Sequence, residues 1–297
     1  MKVKFLRNQT PWVFVIEIVH GCNLACGHCA MAVLDRTPKM MTLETWEQTL
    51  RIIQRINPRC RVELAMGGEP SLHPYLYEIF RMGRAISPQS QFQITTNGTM
   101  LNKGVITYRG LLNAGCNIVY TDMYTPREKF VGLARASKAN WFCYYPQEGE
   151  PAKGNWDPWT YYGPEVRMIV LQENPLNWPA TRRNANLLGS WLNHIDEKKA
   201  AKFGMKPVVT APKRRCNQPF LYAPVSWMGD YLLCCQDMAL ETVGHGNVNE
   251  GIDGFLKFWF SQFMQEHRRW LREKDRQSSP YCSRCSITFS RCDYKHW

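Results

Sequence analysis

Three cysteines, Cys22, Cys26 and Cys29, fall on one short stretch with the spacing C-x3-C-x2-C. Three thiolates on one loop suit a cubane iron–sulfur cluster in which the protein holds three irons and leaves the fourth open. An open position is what a reaction centre needs, because a fully ligated metal has no place for a substrate. A structural zinc site with a distant fourth ligand, His20 or His28, is the other reading of this loop. Zinc loops usually pair cysteines as C-x2-C, and this loop does not supply two such pairs. A second set, Cys216, Cys234, Cys282 and Cys285, offers four thiolates, enough to close a [4Fe–4S] cluster or a four-thiolate zinc site. Cys60, Cys116 and Cys143 stand alone among apolar neighbours and read as small buried hydrophobes.

The chain-wide properties bear on that choice. With 297 residues and 44% hydrophobic content, the chain can bury a real core in one large domain, or in one domain with a small appendage. No stretch reaches about 18 uninterrupted apolar residues, and the apolar run Trp12–Ile16 stops at Glu17 with no signal-peptide pattern, so a cytoplasmic protein without a membrane partner is expected. In a reducing cytosol, clustered cysteines bind metal more often than they form disulfides. The formal net charge is +12, spread as 22 Lys+Arg against 16 Asp+Glu over residues 1–198 and 15 against 9 over 199–297. Local basic runs lie at Lys213-Arg214-Arg215 and at Arg268, Arg269, Arg272, Lys274 and Arg276, each read first as a solvated face.

Elements must then position these residues. Trp12–Val19 is a strand-like run ending at the Cys22 loop. Leu43, Trp46, Leu50 and Ile53 repeat at helical spacing over 43–57, with Thr42 as the cap. A strand at Arg61–Met66 runs into Gly67-Gly68-Glu69-Pro70, followed by a helix near 74–86. A strand at Gln91–Thr96 breaks at Asn97-Gly98, a helix follows near 102–114, and Asn117–Thr121 is again strand-like. Repeated βα units imply a parallel α/β sheet, with chemistry at the C-terminal strand ends. Between 141 and 181 the pattern degrades into aromatics interleaved with Pro and Gly, with one clear strand at Val166–Leu171. A helix near 181–200 leads to a cysteine-rich region with a hairpin-like stretch at 220–235 and a helix at 253–274. The expected domains are therefore residues 1–204 and 205–297.

The motifs together resemble the radical SAM superfamily. The Cys22 loop resembles its C-x3-C-x-aromatic-C signature, with His28 in the aromatic position. Gly67-Gly68-Glu69-Pro70 matches the "GGEP" segment that contacts the amino group of the S-adenosylmethionine (SAM) methionine. Two glycines permit close backbone approach, and Glu69 offers negative charge to an ammonium. Thr95-Thr96-Asn97-Gly98 resembles the "TNG" strand end of the same pocket, and Thr121 sits where the family often has a strand-end Ser near the SAM ribose, with Asp122 one position out of register. The order of the three motifs over residues 12–122, each after a strand, carries more weight than any one alone. The Cys216-to-Cys285 set, with Gly229, Cys234-Cys235-x-Asp237 and Gly246-Asn247-Val248, resembles the twitch domain, a shortened SPASM domain. Cys235 and Cys292 are substitute ligands, and Met228 replaces the usual Asp before the glycine.

This resemblance implies a partial (β/α)6 TIM-like barrel with a small C-terminal α+β iron–sulfur domain. It implies a SAM-binding [4Fe–4S] cluster on Cys22, Cys26 and Cys29, and an auxiliary [4Fe–4S] cluster on Cys216, Cys234, Cys282 and Cys285. SAM would lie against His28, Gly67, Gly68, Glu69, Pro70, Thr96, Asn97 and Thr121. The implied activity is reductive cleavage of SAM to a 5′-deoxyadenosyl radical that abstracts a substrate hydrogen, the electron coming from an external reductant such as flavodoxin or ferredoxin. The basic balance leans towards an anionic substrate, a nucleotide, modified nucleic acid or phosphorylated molecule. A peptide or small aminocyclitol-like substrate is the alternative, and no peptide-recognition domain is expected ahead of the first strand. Tyr124, Cys143 and Tyr145 are candidates for a catalytic role. A nucleic-acid-binding module with two structural zinc sites accounts for charge and aromatics but leaves Gly67–Pro70 and Thr95–Gly98 unexplained.

Overall fold

A computed structural model describes residues 10–26, 29–124, 127–137, 139, 141–145, 161–172, 198, 216–283 and 285, with the side chains of 127 and 141–145 excepted. Its strands are β1 (Val13–Ile16), β2 (Val19–His20), β3 (Lys39–Met40), β4 (Arg61–Leu64), β5 (Gln91–Thr96), β6 (Ile118–Asp122), β7 (Trp141–Tyr145), β8 (Met168–Gln172) and β9 (Tyr222–Val225). Its helices are α1 (Leu43–Ile56), α2 (Leu76–Ile86), α3 (Thr99–Asn102), α4 (Tyr108–Ala114), α5 (Arg127–Ala136), α6 (Gln218–Leu221), α7 (Ile252–Trp259) and α8 (Gln262–Arg272).

Seven strands form one sheet in the order β7-β8-β6-β5-β4-β1-β9, and every pair in it is parallel. The helices cover one face, as the alternation of side chains shows. Phe14, Ile16, Val62, Leu64, Phe92, Ile94 and Val119 pack with Trp46, Leu50, Ile53, Phe80, Leu111 and Phe130 in a single core. The residues that alternate with them along each strand therefore face the other, inner side. There Ile118, Tyr120, Met168 and Val170 form one apolar cluster, and Val13, Val15 and Tyr222 another. Continuous apolar runs buried on both faces are what a parallel sheet requires.

Several elements were legible from local signals. Thr42 caps α1 by accepting the Thr45 N–H at 3.2 Å, and the apolar stripe of α1 is buried as its spacing requires. Cys60 and Cys116 are buried apolar packing residues, as expected, whereas the Cys143 side chain lies outside the described residues. Three features differ from the sequence expectation. Trp141–Tyr145 is a strand at the sheet edge, where aromatic residues carry strand propensity that the surrounding Pro and Gly obscured. The expected helix over 253–274 is two helices, because Ser261 caps α8 by accepting the Met264 N–H at 3.1 Å and starts a new axis. The hairpin-like stretch does turn, with an antiparallel bridge between Val225 and Tyr231, but its first strand, β9, also extends the parallel sheet beside β1.

The C-terminal part is thus fastened to the sheet, with Phe255 of α7 lying 6.4 Å ring to ring from Phe14 of β1. Not all of the basic run is solvated. Arg268 donates to the Pro219 and Trp259 carbonyls and covers the Trp259 ring, and Arg276 is buried, while Arg269, Arg272 and Lys274 are exposed. The Lys213–Arg215 run, the 181–200 helix and the 204/205 boundary lie outside the described residues. Among the described residues no helix is long and apolar enough to cross a membrane.

Candidate active site

The Cys22 loop leaves β2 and returns through β3, so its base is clamped by the antiparallel pairs Val19–Met40 and His20–Lys39. A second clamp joins it to the end of β4. Gly21 pairs with Gly68, the Glu69 N–H donates to the Gly21 carbonyl at 3.0 Å, and the Gly21 N–H reaches Gly67 O at 3.4 Å. This approach is why Gly68 carries no side chain: a Cβ there would lie 2.0 Å from the Val19 carbonyl oxygen. Met66, just before the two glycines, is held at φ 109°, a left-handed conformation costing roughly 1–3 kcal/mol in a residue with a Cβ.

Glu69 ties these strand ends to the next one. Its Oε1 accepts the Ser71 N–H at 2.9 Å and the Thr96 hydroxyl at 2.6 Å, and its Oε2 accepts the Asn97 N–H at 2.7 Å. The carboxyl is buried, and burial pushes its pKa up against the lowering effect of these donors. Glu69 thus braces the two loops. Pro70, buried after it, opens a short helical turn that Glu69 itself caps. Asn97 completes the wiring with its side chain, donating to Asn23 Oδ1 at 2.9 Å and to Cys22 Sγ at 3.6 Å. Gly98 follows at φ 72°, where a Cβ would meet the Phe130 ring at 2.7 Å.

Glu69→Gln should reveal this bracing. A carboxamide has one acceptor oxygen for three converging donors, so at least one buried donor is left unpaired at a cost of about 1–3 kcal/mol. Chemical denaturation of the variant is expected to show that loss; unchanged stability would mean the three bonds carry nothing.

Two residues that the motifs did not name stand behind the glycines. Glu17, wholly buried, accepts from the Gly67 N–H at 3.1 Å and from His20 Nδ1 at 3.0 Å. Burial raises its pKa, opposed by the His20 hydrogen bond and charge. A polar residue closing an apolar strand run was the available signal. Tyr124 bonds to the Cys26 thiol, and Asp122 lies close enough to disfavour ionisation of both. Thr121, by contrast, is not brought to the loop. Strand alternation turns it to the helix face, where its hydroxyl meets Tyr108 Oη at 3.0 Å, and Asp122 takes the place on the loop's side. His28 lies outside the described residues.

The three thiols are neighbours, and each is pushed up chiefly by desolvation, Cys29 to about 12. Glu69 pushes in the same direction at Cys22 and Asp122 at Cys26. A metal cation bound to these sulfurs would oppose that shift by favouring the thiolate. Among the described residues no group of three or more His, Cys, Asp or Glu side chains is placed to hold a metal ion.

The second set also assembles. Cys216 and Cys282 each feel Cys234 and Cys285, and both are raised first by burial, Cys282 to about 12. Arg276 opposes this at both thiols. Cys234 is raised mainly by its hydrogen bond to Cys235, whose own sulfur points to Gln218 Oε1 at 3.6 Å. Asp237, buried just after them, holds this loop by accepting from Glu241 N, Thr242 N and Thr242 Oγ1. The loop lies against the first site, with Met238 Cβ 3.6 Å from where a Gly67 Cβ would be, and Cys235, Ala65 and Met66 all pack against the cluster of Val13, Val15, Leu221 and Tyr222.

Comparison with known proteins agrees with this geometry. The model of the radical SAM superfamily matches residues 16–158, and that of the SPASM iron-sulfur cluster-binding domain matches residues 216–286. GTP 3′,8-cyclase of Chlorobaculum tepidum is 30% identical over 124 residues, which are 41% of this chain and 36% of that protein. The chain thus spans little more than a third of that relative's length. The structure of BtrN in complex with AdoMet and 2-DOIA superposes with a TM-score of 0.63 at 16% identity, covering 93% of this chain and 92% of that one. That of anSMEcpe with bound AdoMet and the Cp18Cys peptide gives 0.52 at 14% identity, covering 89% and 83%. These two likenesses are of fold. The chain carries a radical SAM superfamily domain followed by a SPASM-type iron–sulfur cluster-binding domain.

Proposed function

We propose that this chain is a radical SAM enzyme holding one [4Fe–4S] cluster on Cys22, Cys26 and Cys29 and an auxiliary one on Cys216, Cys234, Cys282 and Cys285. When bound, the reduced cluster and SAM supply a 5′-deoxyadenosyl radical that takes a hydrogen atom from the substrate. The reading is carried by one observation: Asn97 and Glu69 wire the cysteine loop to both motif strand ends, by 2.7 Å between Asn97 N and Glu69 Oε2 and 3.6 Å between Asn97 Nδ2 and Cys22 Sγ. Gly67–Pro70 would hold the amino end of SAM through the backbone, with Glu69 adding negative charge from behind. Thr96 and Asn97 would fix the adjoining wall, with His28 contributing from the loop and Asp122, rather than Thr121, facing it. Tyr124, bonded to Cys26, would help exclude water from the loop's open side.

An external one-electron reductant such as flavodoxin or ferredoxin would load the first cluster, in a reducing cytoplasm. The basic balance favours a substrate with an anionic part, and the partial likeness to GTP 3′,8-cyclase points the same way. The 2-DOIA complex of BtrN and the peptide complex of anSMEcpe support the small-molecule and peptide alternatives. Iron and sulfide analysis of anaerobically reconstituted protein tests the cofactor assignment. About eight irons per chain with broad visible absorption is expected; a colourless, zinc-loaded protein would end this reading.

A further inference from the structure

The inner face of the sheet carries a polar patch in an otherwise apolar surround. Phe92 and Ile94 of β5 face the helices, so Gln91, Gln93 and Thr95 face inward. Gln93 is fully buried, yet among the described residues neither its Oε1 nor its Nε2 has a hydrogen-bond partner, and Thr95 Oγ1, one step up the same face, has none either. In register beside Gln93 lies Glu63 of β4, also buried, whose Oε2 accepts from Arg61 Nη2 at 3.4 Å. The flanking positions at this level are Val15 and Ile118. A buried carboxamide with both its donor and its acceptor unmet is costly, and leucine or methionine would fill the same volume without that cost. Stability alone therefore does not account for Gln93. Its place does: on β5, it lies four residues, about 13 Å of extended chain, before Asn97, which follows the strand end and touches the cysteine loop.

We infer that Gln93, with Thr95 and Glu63, recognises the substrate on the inner face, and that it takes a ligand presenting an N–H and a C=O side by side, as a lactam or a nucleobase edge does. The inference rests on the proposed radical SAM reading, which makes this face the substrate's side. The match follows from the side chain's own chemistry. A carboxamide offers one donor and one acceptor on the same edge, and pairs with its complement through two parallel bonds. A trans peptide unit points its N–H and C=O in opposite directions and cannot make both. Glu63, paired with Arg61 Nη2 at 3.4 Å, offers a further acceptor for an N–H beside Gln93.

Three small probes separate these cases on the reconstituted full chain: 2-piperidone, a cis lactam; cyclohexanone, the same ring without the N–H; and N-methylacetamide, a trans amide. Ligand-observed NMR titration should give about tenfold tighter binding of 2-piperidone than of either control. Gln93→Leu should bring the three within about twofold, with a melting temperature unchanged or raised by a few degrees. Should Gln93→Leu fail to fold, Gln93→Met gives the same reading. Equal binding of the probes by the native chain, or a lactam preference that survives in the variants, overturns the inference, as does a fall in melting temperature in both variants, which would mark Gln93 as structural through bound water. No SAM cleavage enters this measurement, so failure here and failure to form 5′-deoxyadenosine are separate results.

Discussion

Cys22→Ala, Cys26→Ala and Cys29→Ala combined should yield a folded protein with about half the native iron and no 5′-deoxyadenosine above background. The three cysteines sit on a partly exposed loop and belong to none of the buried clusters, so their loss removes no core contact. The fold should therefore survive with a loss within about 1 kcal/mol, as for other substitutions away from the core. The remaining iron would sit on the Cys216-to-Cys285 set, whose loop is braced separately by Asp237. Activity falls to background because the loop holds no other thiolates. Elemental analysis and product chromatography check both halves. Full iron retention would place the thiolates of both clusters elsewhere, and residual product would mean that SAM is cleaved at another site.

The second large effect is expected at Gly68→Ala, a single methyl group with two consequences. The added carbon would overlap the Val19 carbonyl and lie 2.7 Å from that of Gly21, both of them backbone, which cannot swing aside as a flexible side chain can. Relief requires parting the Gly21–Gly68 bridge, and with it the 3.0 Å bond from Glu69 N to Gly21 O. Overpacking of this kind costs about 3 kcal/mol. The same movement separates the cysteine loop from the motif strand end, so cluster loading and SAM affinity should fall together with the melting temperature. A variant that melts like the native chain and loads full iron would show that the two segments are not clamped here.

The motifs were readable because they depend on residue type at fixed spacing, and strand ends are marked by Gly, Pro and Asn. Gly98 at positive φ and Thr42 at the head of α1 announce themselves in this way. What was not readable depends on which way a side chain turns. Thr121 and Asp122 are adjacent in sequence, but one faces the helices and the other the cysteine loop, and only the register of β6 against its neighbours decides between them. Glu69 carries the charge its motif predicts, yet spends it on Ser71, Thr96 and Asn97. Glu17 closes an apolar run and Gln93 lies within a strand, and neither belongs to a motif that would tell its buried role from an ordinary strand position. The pairing of β9 with β1 spans some 200 residues, and no local propensity encodes such a contact.

One measurement bears most directly on the central claim that the Cys22 loop and its two wired strand ends form a SAM-cleaving site. Anaerobically reconstituted, chemically reduced protein is incubated with SAM, and 5′-deoxyadenosine is quantified by chromatography. The account predicts 5′-deoxyadenosine and methionine in equal amounts, dependent on reductant and absent from the Cys22/Cys26/Cys29 variant. A fully iron-loaded, reduced protein that leaves SAM intact would contradict it.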